Sequence, residues 1–260
     1  MPEVKIAVQL ASLRLPLRKA LVAAARIGAS GVEIDARGEL RPQDASGTAL
    51  REIRRLLEDN GLHVSAVGFH TRRGYDSSDD IEARVAATKA AMKLAAELRA
   101  PVVVNQIGQV PPKSEGPAWN LLVNTLNDLS LYGQHVGALL AAQTGTESGA
   151  DLARLIAALP ERGIGVDLDP GNLIINGFSP LEAVEALGPH ILHVHARDGV
   201  RDLARGRGLE VPLGRGTADF PALLGALEDH QYRGYFTIAR EVSENPEFEI
   251  GEAVKYLKNL

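Results

Sequence analysis

The feature that most constrains this chain is a regular alternation of short apolar runs with longer stretches of helical periodicity, repeated eight times. This alternation is typical of a parallel β-sheet whose strands are joined by helices. The predicted strands are Lys5–Gln9, Gly31–Asp35, His63–Gly68, Pro101–Asn105, Ala138–Gln143, Ile164–Asp169, Ile191–His195 and Tyr235–Arg240. The predicted helices are Pro16–Ile27, Thr48–Asn60, Ser78–Leu98, Ala118–Gln134, Gly149–Leu159, Pro180–Leu187, Pro221–His230 and Pro246–Leu260.

Eight strand–helix units in 260 residues predict an α/β fold, a single-domain (β/α)8 TIM barrel covering residues 1–260. A doubly wound open sheet is the alternative. The first predicted strand, however, continues into Leu10-Ala11-Ser12 and not into a glycine-rich phosphate-binding turn. Hydrophobic residues make up 45% of the chain but aromatic residues only 4%, which indicates a core of small aliphatic side chains.

The composition argues against several classes of protein. The net charge of −5 and the scattered arginines predict that nucleic acid is not a partner. The absence of cysteine excludes disulfides and thiolate metal sites. Because no apolar run approaches the ~18 residues of a membrane span, we expect a soluble, cytoplasmic protein without a membrane partner. The sequence leaves open whether the chain forms a homo-oligomer.

Polar residues collect at the predicted strand ends, where the active sites of TIM barrels lie. Alternation along the strands places the pair Asp167 and Asp169 on one face of strand six, and the pair His193 and His195 on one face of strand seven. The opposite faces carry Val166, Leu168, Leu192 and Val194, which we expect to pack against the helices. The inward pairs could bind a cation, or they could simply satisfy one another by hydrogen bonds in the core.

Three motifs resemble those of the xylose isomerase-like sugar isomerase and epimerase family: His193-Val194-His195, Asp169-Pro170-Gly171-Asn172, and Leu213-Gly214-Arg215-Gly216 before Asp219-Phe220. The resemblance spans the whole predicted barrel. It implies a divalent metal cofactor (Mn²⁺, Mg²⁺, Co²⁺ or Zn²⁺), held by four side chains at the ends of strands five to eight. Asp169 and His195 match two of these ligands. Arg201 and Asn172 match positions at which related epimerases bind substrate.

The chain departs from the family at the other two metal ligands, where the resemblance implies glutamates. Gln143 ends strand five and Ala239 lies in strand eight. In related epimerases these glutamates also remove and return a proton through an enediolate. Gln143 could be a weak third metal ligand, but neither residue can transfer a proton. The resemblance therefore implies a weakened metal site and impaired catalysis.

Three explanations account for these departures. The chain is a deliberately disabled variant of an active isomerase, or a natural relative that binds sugar without converting it, or its catalytic carboxylates lie elsewhere. For the third explanation the candidates are Glu241, two residues after Ala239, and Glu147, in the loop after Gln143. Both could equally be solvated loop carboxylates, so we favour the first two explanations.

Other residues could contact a ligand from neighbouring loops. His70 follows strand three, and Glu33 lies in strand two, where an ion pair with Arg37 is the competing interpretation. Trp119 and Tyr75 could stack on a sugar ring or on a neighbouring subunit. The resemblance thus implies a small-molecule substrate, which is a ketose, a keto acid or a cyclitol. The alternatives are a non-catalytic sugar-binding barrel and, from the same fold family, a metal-dependent nuclease similar to apurinic endonucleases.

Overall fold

The strands form a closed parallel barrel and a separate two-stranded hairpin in the computed structural model, which describes residues 4–159, 163–202 and 207–260. They are β1 (Lys5–Gln9), β2 (Gly31–Asp35), β3 (His63–Gly68), β4 (Val102–Asn105), β5 (Leu139–Gln143), β6 (Gly165–Leu168), β7 (Ile191–Ala196), β8 (Asp198–Asp202), β9 (Arg207–Val211) and β10 (Tyr235–Ile238). The closed order is β1-β10-β7-β6-β5-β4-β3-β2, and all its neighbours are parallel. The predicted (β/α)8 TIM barrel is confirmed, and the open-sheet alternative is wrong.

Helices cover the outside of the barrel. They are α1 (Leu17–Arg26), α2 (Gly47–Asp59), α3 (Ile81–Glu97), α4 (Pro117–Val136), α5 (Gly149–Ala157), α6 (Pro170–Asn176), α7 (Pro180–Leu187), α8 (Phe220–Asp229) and α9 (Pro246–Lys258). The eight predicted helices are present, while α6 and the antiparallel β8–β9 hairpin were not predicted. Among the described residues, no helix is both long and apolar enough to cross a membrane.

The alternation of side chains along the strands separates two apolar clusters. Outward-facing residues pack against the helices in the main core, and these include the predicted Val166, Leu168 and Val194. Leu192 was expected there too, but it is 38% exposed because the register between β6 and β7 shifts beside it. Inside the barrel lies a smaller cluster of Ala66, Val102, Val104 and Ala141. Polar side chains occupy the opposite side of the barrel interior.

Two aromatic residues that could have stacked on a sugar lie in the core instead. The Tyr75 hydroxyl accepts a hydrogen bond from Asn105 Nδ2 at 2.7 Å and lies 2.8 Å from the Thr88 hydroxyl. Trp119 is buried, with the Arg154 guanidinium 5.0 Å from its ring centroid. Neither ring lines the cavity at the carboxyl ends of the strands, so neither is placed to stack on a ligand there.

Candidate functional site

A cavity of about 520 Å³ opens at the carboxyl ends of the barrel strands, the end at which TIM barrels carry their sites. Seven residues predicted from the sequence line it: Glu33, His70, Gln143, Asn172, His195, Ala239 and Glu241. Strand pairing brings the strand residues of the site together. Gln143 pairs with Asp167, Asp167 with His193, and His195 with Thr237. Gln9 and Arg197 also line the cavity, although neither was predicted from the sequence as a site residue.

The carboxylate of Asp169 lies fully buried beside this cavity. Its Oδ1 accepts the backbone N–H of Asn172 at 2.8 Å, which caps the N-terminus of α6. Its Oδ2 accepts from Gln143 Nε2 and from Arg197 Nη1, both at 3.0 Å. The Gln143 amide thus donates to Asp169, and its Oε1 lies 3.2 Å from His70 Nε2.

Arg197 is a buried cation surrounded by carboxylates. Besides Asp169, it contacts Glu210 Oε1 through Nε at 3.1 Å and Glu241 Oε1 through Nη2 at 2.9 Å. Burial alone would lower the pKa of this guanidinium, but the three carboxylates raise it above its ordinary value. The side chain is 8% exposed, so the cavity contains a fixed positive charge. Arg197 continues the two-residue alternation of His193 and His195, a signal that could have identified it from the sequence.

The two histidines of β7 belong to a buried chain of polar groups. His195 Nδ1 donates to Asp167 Oδ2 at 2.6 Å, and His193 Nδ1 donates to Asp167 Oδ1 at 2.8 Å. His195 Nε2 lies 2.9 Å from Glu33 Oε2, but the two atoms are not aligned for a hydrogen bond. His193 Nε2 lies 2.7 Å from the Thr237 hydroxyl. Asp167 therefore supports His195 from a position one step deeper in the barrel.

The ionisation of this chain follows from burial and from mutual attraction. Burial alone would raise the pKa of Glu33, but the charge of His195 lowers it to about 2. Burial likewise opposes the charged forms of Asp167 and His195, yet their attraction lowers the pKa of Asp167 and raises that of His195. His195 is thus held as an imidazolium between two carboxylates.

The four positions expected to bind a metal do not fit a divalent ion. Gln143 and Asp169 hydrogen-bond to each other, His195 faces Asp167 and Glu33, and Ala239 carries no donor atom. Hard cations require several anionic oxygens, and Asp169 is the single carboxylate in this set. The ligand set implied by the resemblance is therefore incomplete in this chain.

A different set of side chains offers a possible cation site. One ligand atom from each of Glu33, His193 and His195 lies within 4.8 Å of the others. Within the part of the chain that the structure describes, Glu33 Oε2 and His195 Nε2 are buried and have no hydrogen-bond partner. His193 Nε2 is already bound to Thr237. A cation there would be bound by two residues that the resemblance does not include.

The two carboxylates considered as alternative catalytic groups lie in contrasting places. Glu241 lines the cavity, its side chain is 69% exposed, and it pairs with Arg197. Glu147 is buried outside the cavity lining and accepts a hydrogen bond from Thr146 Oγ1. Burial raises the pKa of Glu147 to about 7, partly offset by that hydrogen bond. Glu241 is thus the carboxylate that a ligand could reach.

The predicted substrate-binding residues also occupy different environments. Asn172 lines the cavity, and its Nδ2 donates to the Thr144 carbonyl at 2.8 Å. Arg201 is an exposed residue of β8 and is not part of the cavity lining. The competing ion pair of Glu33 with Arg37 does not form. Arg37 Nη1 instead donates to the His70 carbonyl, and Glu33 accepts from Gln9 Nε2 at 2.8 Å.

Hydrogen bonds connect the β8–β9 hairpin to the loop that follows it in the sequence. Buried Asp198 accepts the backbone N–H groups of Gly199, Gly214, Gly216 and Ala218. This explains the Leu-Gly-Arg-Gly motif, because a Cβ on Gly216 would lie 2.1 Å from Asp198 Oδ1. The hairpin also contributes Glu210, the partner of Arg197.

Comparisons of the sequence with known proteins identify related chains. Residues 21–260 match a family model described as a xylose isomerase-like TIM barrel. The rhizopine catabolism protein MocC of Rhizobium meliloti is 25% identical over 259 residues, covering 88% of this chain and 76% of the relative. An inosose dehydratase of Clostridium botulinum is 26% identical over 147 residues. That second match covers 47% of each chain, so it spans about half the length of the relative.

Solved structures with the same fold cover almost the whole chain. A xylose isomerase domain protein from Planctomyces limnophilus has a TM-score of 0.87 at 24% identity, covering 99% of this chain and 97% of its own. A xylose isomerase-like TIM-barrel protein from Mycobacterium smegmatis, solved with magnesium, has a TM-score of 0.78 at 18% identity, covering 99% and 96%. A D-psicose 3-epimerase solved with D-fructose has a TM-score of 0.76 at 15% identity, covering 98% and 96%. At these identities the likeness shows the fold alone.

Proposed function

The chain belongs to the xylose isomerase-like TIM-barrel family, and on that premise we propose that its cavity binds a small polyhydroxy compound. The ligand is a ketose, a keto acid or a cyclitol. We further propose that metal-dependent isomerase or epimerase turnover is impaired in this chain. Relatives and structural neighbours named as an inosose dehydratase and a D-psicose 3-epimerase support this ligand class.

The observation that carries the proposal is the mixture of hydrogen-bonding groups around the cavity. Glu33 and Asp35 supply acceptors, Arg37 and Arg197 supply donors, and the Gln106 amide supplies both. A hydroxyl group both donates and accepts, so a compound rich in hydroxyls can satisfy this lining from many sides. The volume of about 520 Å³ also lies within the range of small-molecule sites.

The impairment follows from the side chains at two positions. General acid–base groups contribute about 10²–10⁴-fold each to a rate, and neither Gln143 nor Ala239 can transfer a proton. The two losses need not add, because residues that act as a unit show non-additive effects. Asp169 and Gln143 are hydrogen-bonded to each other, so no step of this proposal passes through a metal ion.

Titration calorimetry against a panel of ketoses, keto acids and cyclitols tests the proposal. We expect saturable binding of about one ligand per chain, weakened about fivefold by Gln106→Ala, since one hydrogen bond contributes about 1 kcal/mol. Gln109→Ala is the matched control, because Gln109 is exposed in the same loop but does not line the cavity. Equal effects of the two substitutions, or no binding across the panel, would contradict the proposal. Cleavage of abasic DNA would instead support the nuclease interpretation.

A further inference from the structure

We propose that the guanidinium of Arg197 takes over the part that the family resemblance assigns to a divalent cation. It neutralises Asp169 and presents positive charge to ligand oxygens, so the cavity needs no metal. This inference rests on the proposed function only for the identity of the ligand. Its metal-free character follows from the chain alone and is testable without any sugar.

The carboxylate of Asp169 requires a compensating positive charge. This carboxylate is fully buried, and an uncompensated buried charge is strongly destabilising. Arg197 Nη1 lies 3.0 Å from Asp169 Oδ2 and is itself buried. The pair therefore compensates within the protein, and a metal ion would have to displace the guanidinium to reach Oδ2.

The residue at position 143 determines whether a second negative charge faces Asp169. Gln143 Nε2 donates to the same Asp169 oxygen at 3.0 Å. A glutamate there would bring two carboxylates into contact, an arrangement that a cation between them stabilises and that is otherwise unfavourable. An amide at this position removes the need for that cation. Ala239 removes the second expected carboxylate, so both departures lower the negative charge that a divalent ion would have balanced.

Glu210 of the β8–β9 hairpin holds Arg197 in place. The Nε of Arg197 contacts Glu210 Oε1, and the largely buried Glu210 side chain is fixed in turn by Arg240 Nη1 at 2.7 Å. Glu210 Oε2 also accepts the backbone N–H groups of Glu241 and Val242, each at 3.1 Å. The hairpin therefore orients the guanidinium with its Nη atoms towards Asp169 and the cavity.

The remaining N–H groups of Arg197 indicate the kind of ligand that it would bind. A guanidinium carries five N–H donors in a fixed plane, and Asp169, Glu210 and Glu241 take up three of those of Arg197. The third of these partners, Glu241, is mostly exposed, so its ion pair is weak and a ligand can replace it. The two Nη atoms then suit two neighbouring oxygens of one ligand, such as a carbonyl and its adjacent hydroxyl.

Mn²⁺ binding tests this inference, measured by equilibrium dialysis with elemental analysis. Four proteins are compared: the unchanged chain, Gln143→Glu/Ala239→Glu, and that double variant with either Arg197→Gln or Arg154→Gln added. We expect no saturable binding by the unchanged chain. Adding Arg197→Gln to the double variant should lower the dissociation constant for Mn²⁺ at least tenfold, with one ion bound per chain. Arg154→Gln is the matched control, because Arg154 is also a partly buried arginine paired with a carboxylate, that of Asp151, but does not line the cavity, and it should leave the affinity unchanged.

Two results would overturn the inference. One is stoichiometric Mn²⁺ binding by the unchanged chain that Glu33→Gln abolishes, which would place the ion at the Glu33–His195 pair. The other is an equal affinity with and without Arg197→Gln in the double variant. If circular dichroism shows that the Arg197→Gln variant does not fold, Mn²⁺ binding by the folded Gln143→Glu/Ala239→Glu variant is the test instead. One tightly bound ion per chain in that variant overturns the inference, and the absence of saturable binding supports it. Because no sugar is present, failure here is distinguishable from failure of the proposed ligand binding.

Discussion

An amide and a carboxylate at position 143 would have opposite effects on Asp169. The Gln143 amide donates a hydrogen bond to the buried carboxylate, whereas a glutamate would oppose it with a second negative charge at the same distance. The difference is a nitrogen in place of an oxygen, yet it decides whether this part of the cavity requires a cation. The chemistry of the site thus depends on which single atom faces Asp169.

The first prediction concerns this contact. We expect Gln143→Glu to lower the free energy of unfolding by about 1–3 kcal/mol in metal-free buffer, because a buried acceptor loses its donor. Urea denaturation measures the change. Gln106→Glu is the control, since Gln106 is exposed and no hydrogen bond to a carboxylate is found for it among the described residues; it should shift stability by less than about 0.5 kcal/mol. An unchanged stability for Gln143→Glu would show that the contact is unimportant.

The second prediction concerns Glu147, whose pKa burial raises to about 7 from an ordinary 4.5. Because the folded protein then binds this proton more tightly than the unfolded chain, stability falls as pH rises between these two values. At pH 8 we therefore expect Glu147→Gln to be more stable than the unchanged chain, by at most about 3 kcal/mol. At pH 4, where Glu147 is protonated, the difference should nearly vanish.

Urea denaturation at the two pH values measures this effect. Glu115→Gln, at an exposed position, is the control and should show no such pH dependence. A stability difference for Glu147→Gln that is the same at both pH values would contradict the assignment of a raised pKa to Glu147.

At the scale of elements, the β8–β9 hairpin and the loop after it depend on one carboxylate. Asp198 Oδ1 accepts from Gly199 and Ala218, and Oδ2 accepts from Gly214 and Gly216. The two oxygens together accept hydrogen bonds from four backbone donors, which a side chain with a single acceptor oxygen cannot do. The hairpin in turn presents Glu210 to Arg197, so this loop affects the cavity indirectly.

The third prediction tests that dependence. Asp198→Asn should cost about 2–3 kcal/mol, because its amide would face two N–H groups that then lack an acceptor. Amide hydrogen exchange should accelerate at Gly214 and Gly216 in particular. Asp219→Asn is the matched control: Asp219 accepts the N–H of Ala222 as the cap of α8, and asparagine caps helices equally well. Equal exchange rates in the two variants would contradict the role assigned to Asp198.

The sequence predicted the elements with strong periodicity and missed the short ones. All eight barrel strands and their following helices were found because their apolar patterns extend over many residues. The predicted sixth strand extended through Asp169, whereas this residue caps α6, a helix of 7 residues that is too short for a clear periodic signal. The hairpin was missed because its polar residues are typical of a loop. Its strand pairing also depends on contacts with residues outside the hairpin, which no local pattern indicates.

At the scale of the whole molecule, the sequence predicted which positions face the cavity better than it predicted their contacts. Seven predicted residues line it, since strand alternation fixes direction. It did not predict that His195 would contact Glu33 across the barrel, or that Arg197 would reach Asp169. Such contacts depend on closure of the barrel and on the position of Glu210, which no local pattern encodes. The roles proposed for all the predicted site residues, including Arg201 and Glu147, remain predictions.

Proton magnetic resonance of candidate ketoses and cyclitol ketones mixed with the protein in D₂O tests the central claim most directly. Saturation transfer from protein to ligand reports binding, and loss of the signal from the C–H beside the carbonyl reports proton exchange through an enediolate. We expect saturation transfer that is abolished by an excess of a competing compound from the same panel. We also expect that the C–H signal is lost no faster than in the absence of protein. Rapid deuterium incorporation catalysed by the unchanged chain, or the absence of saturation transfer for every compound, would contradict the account.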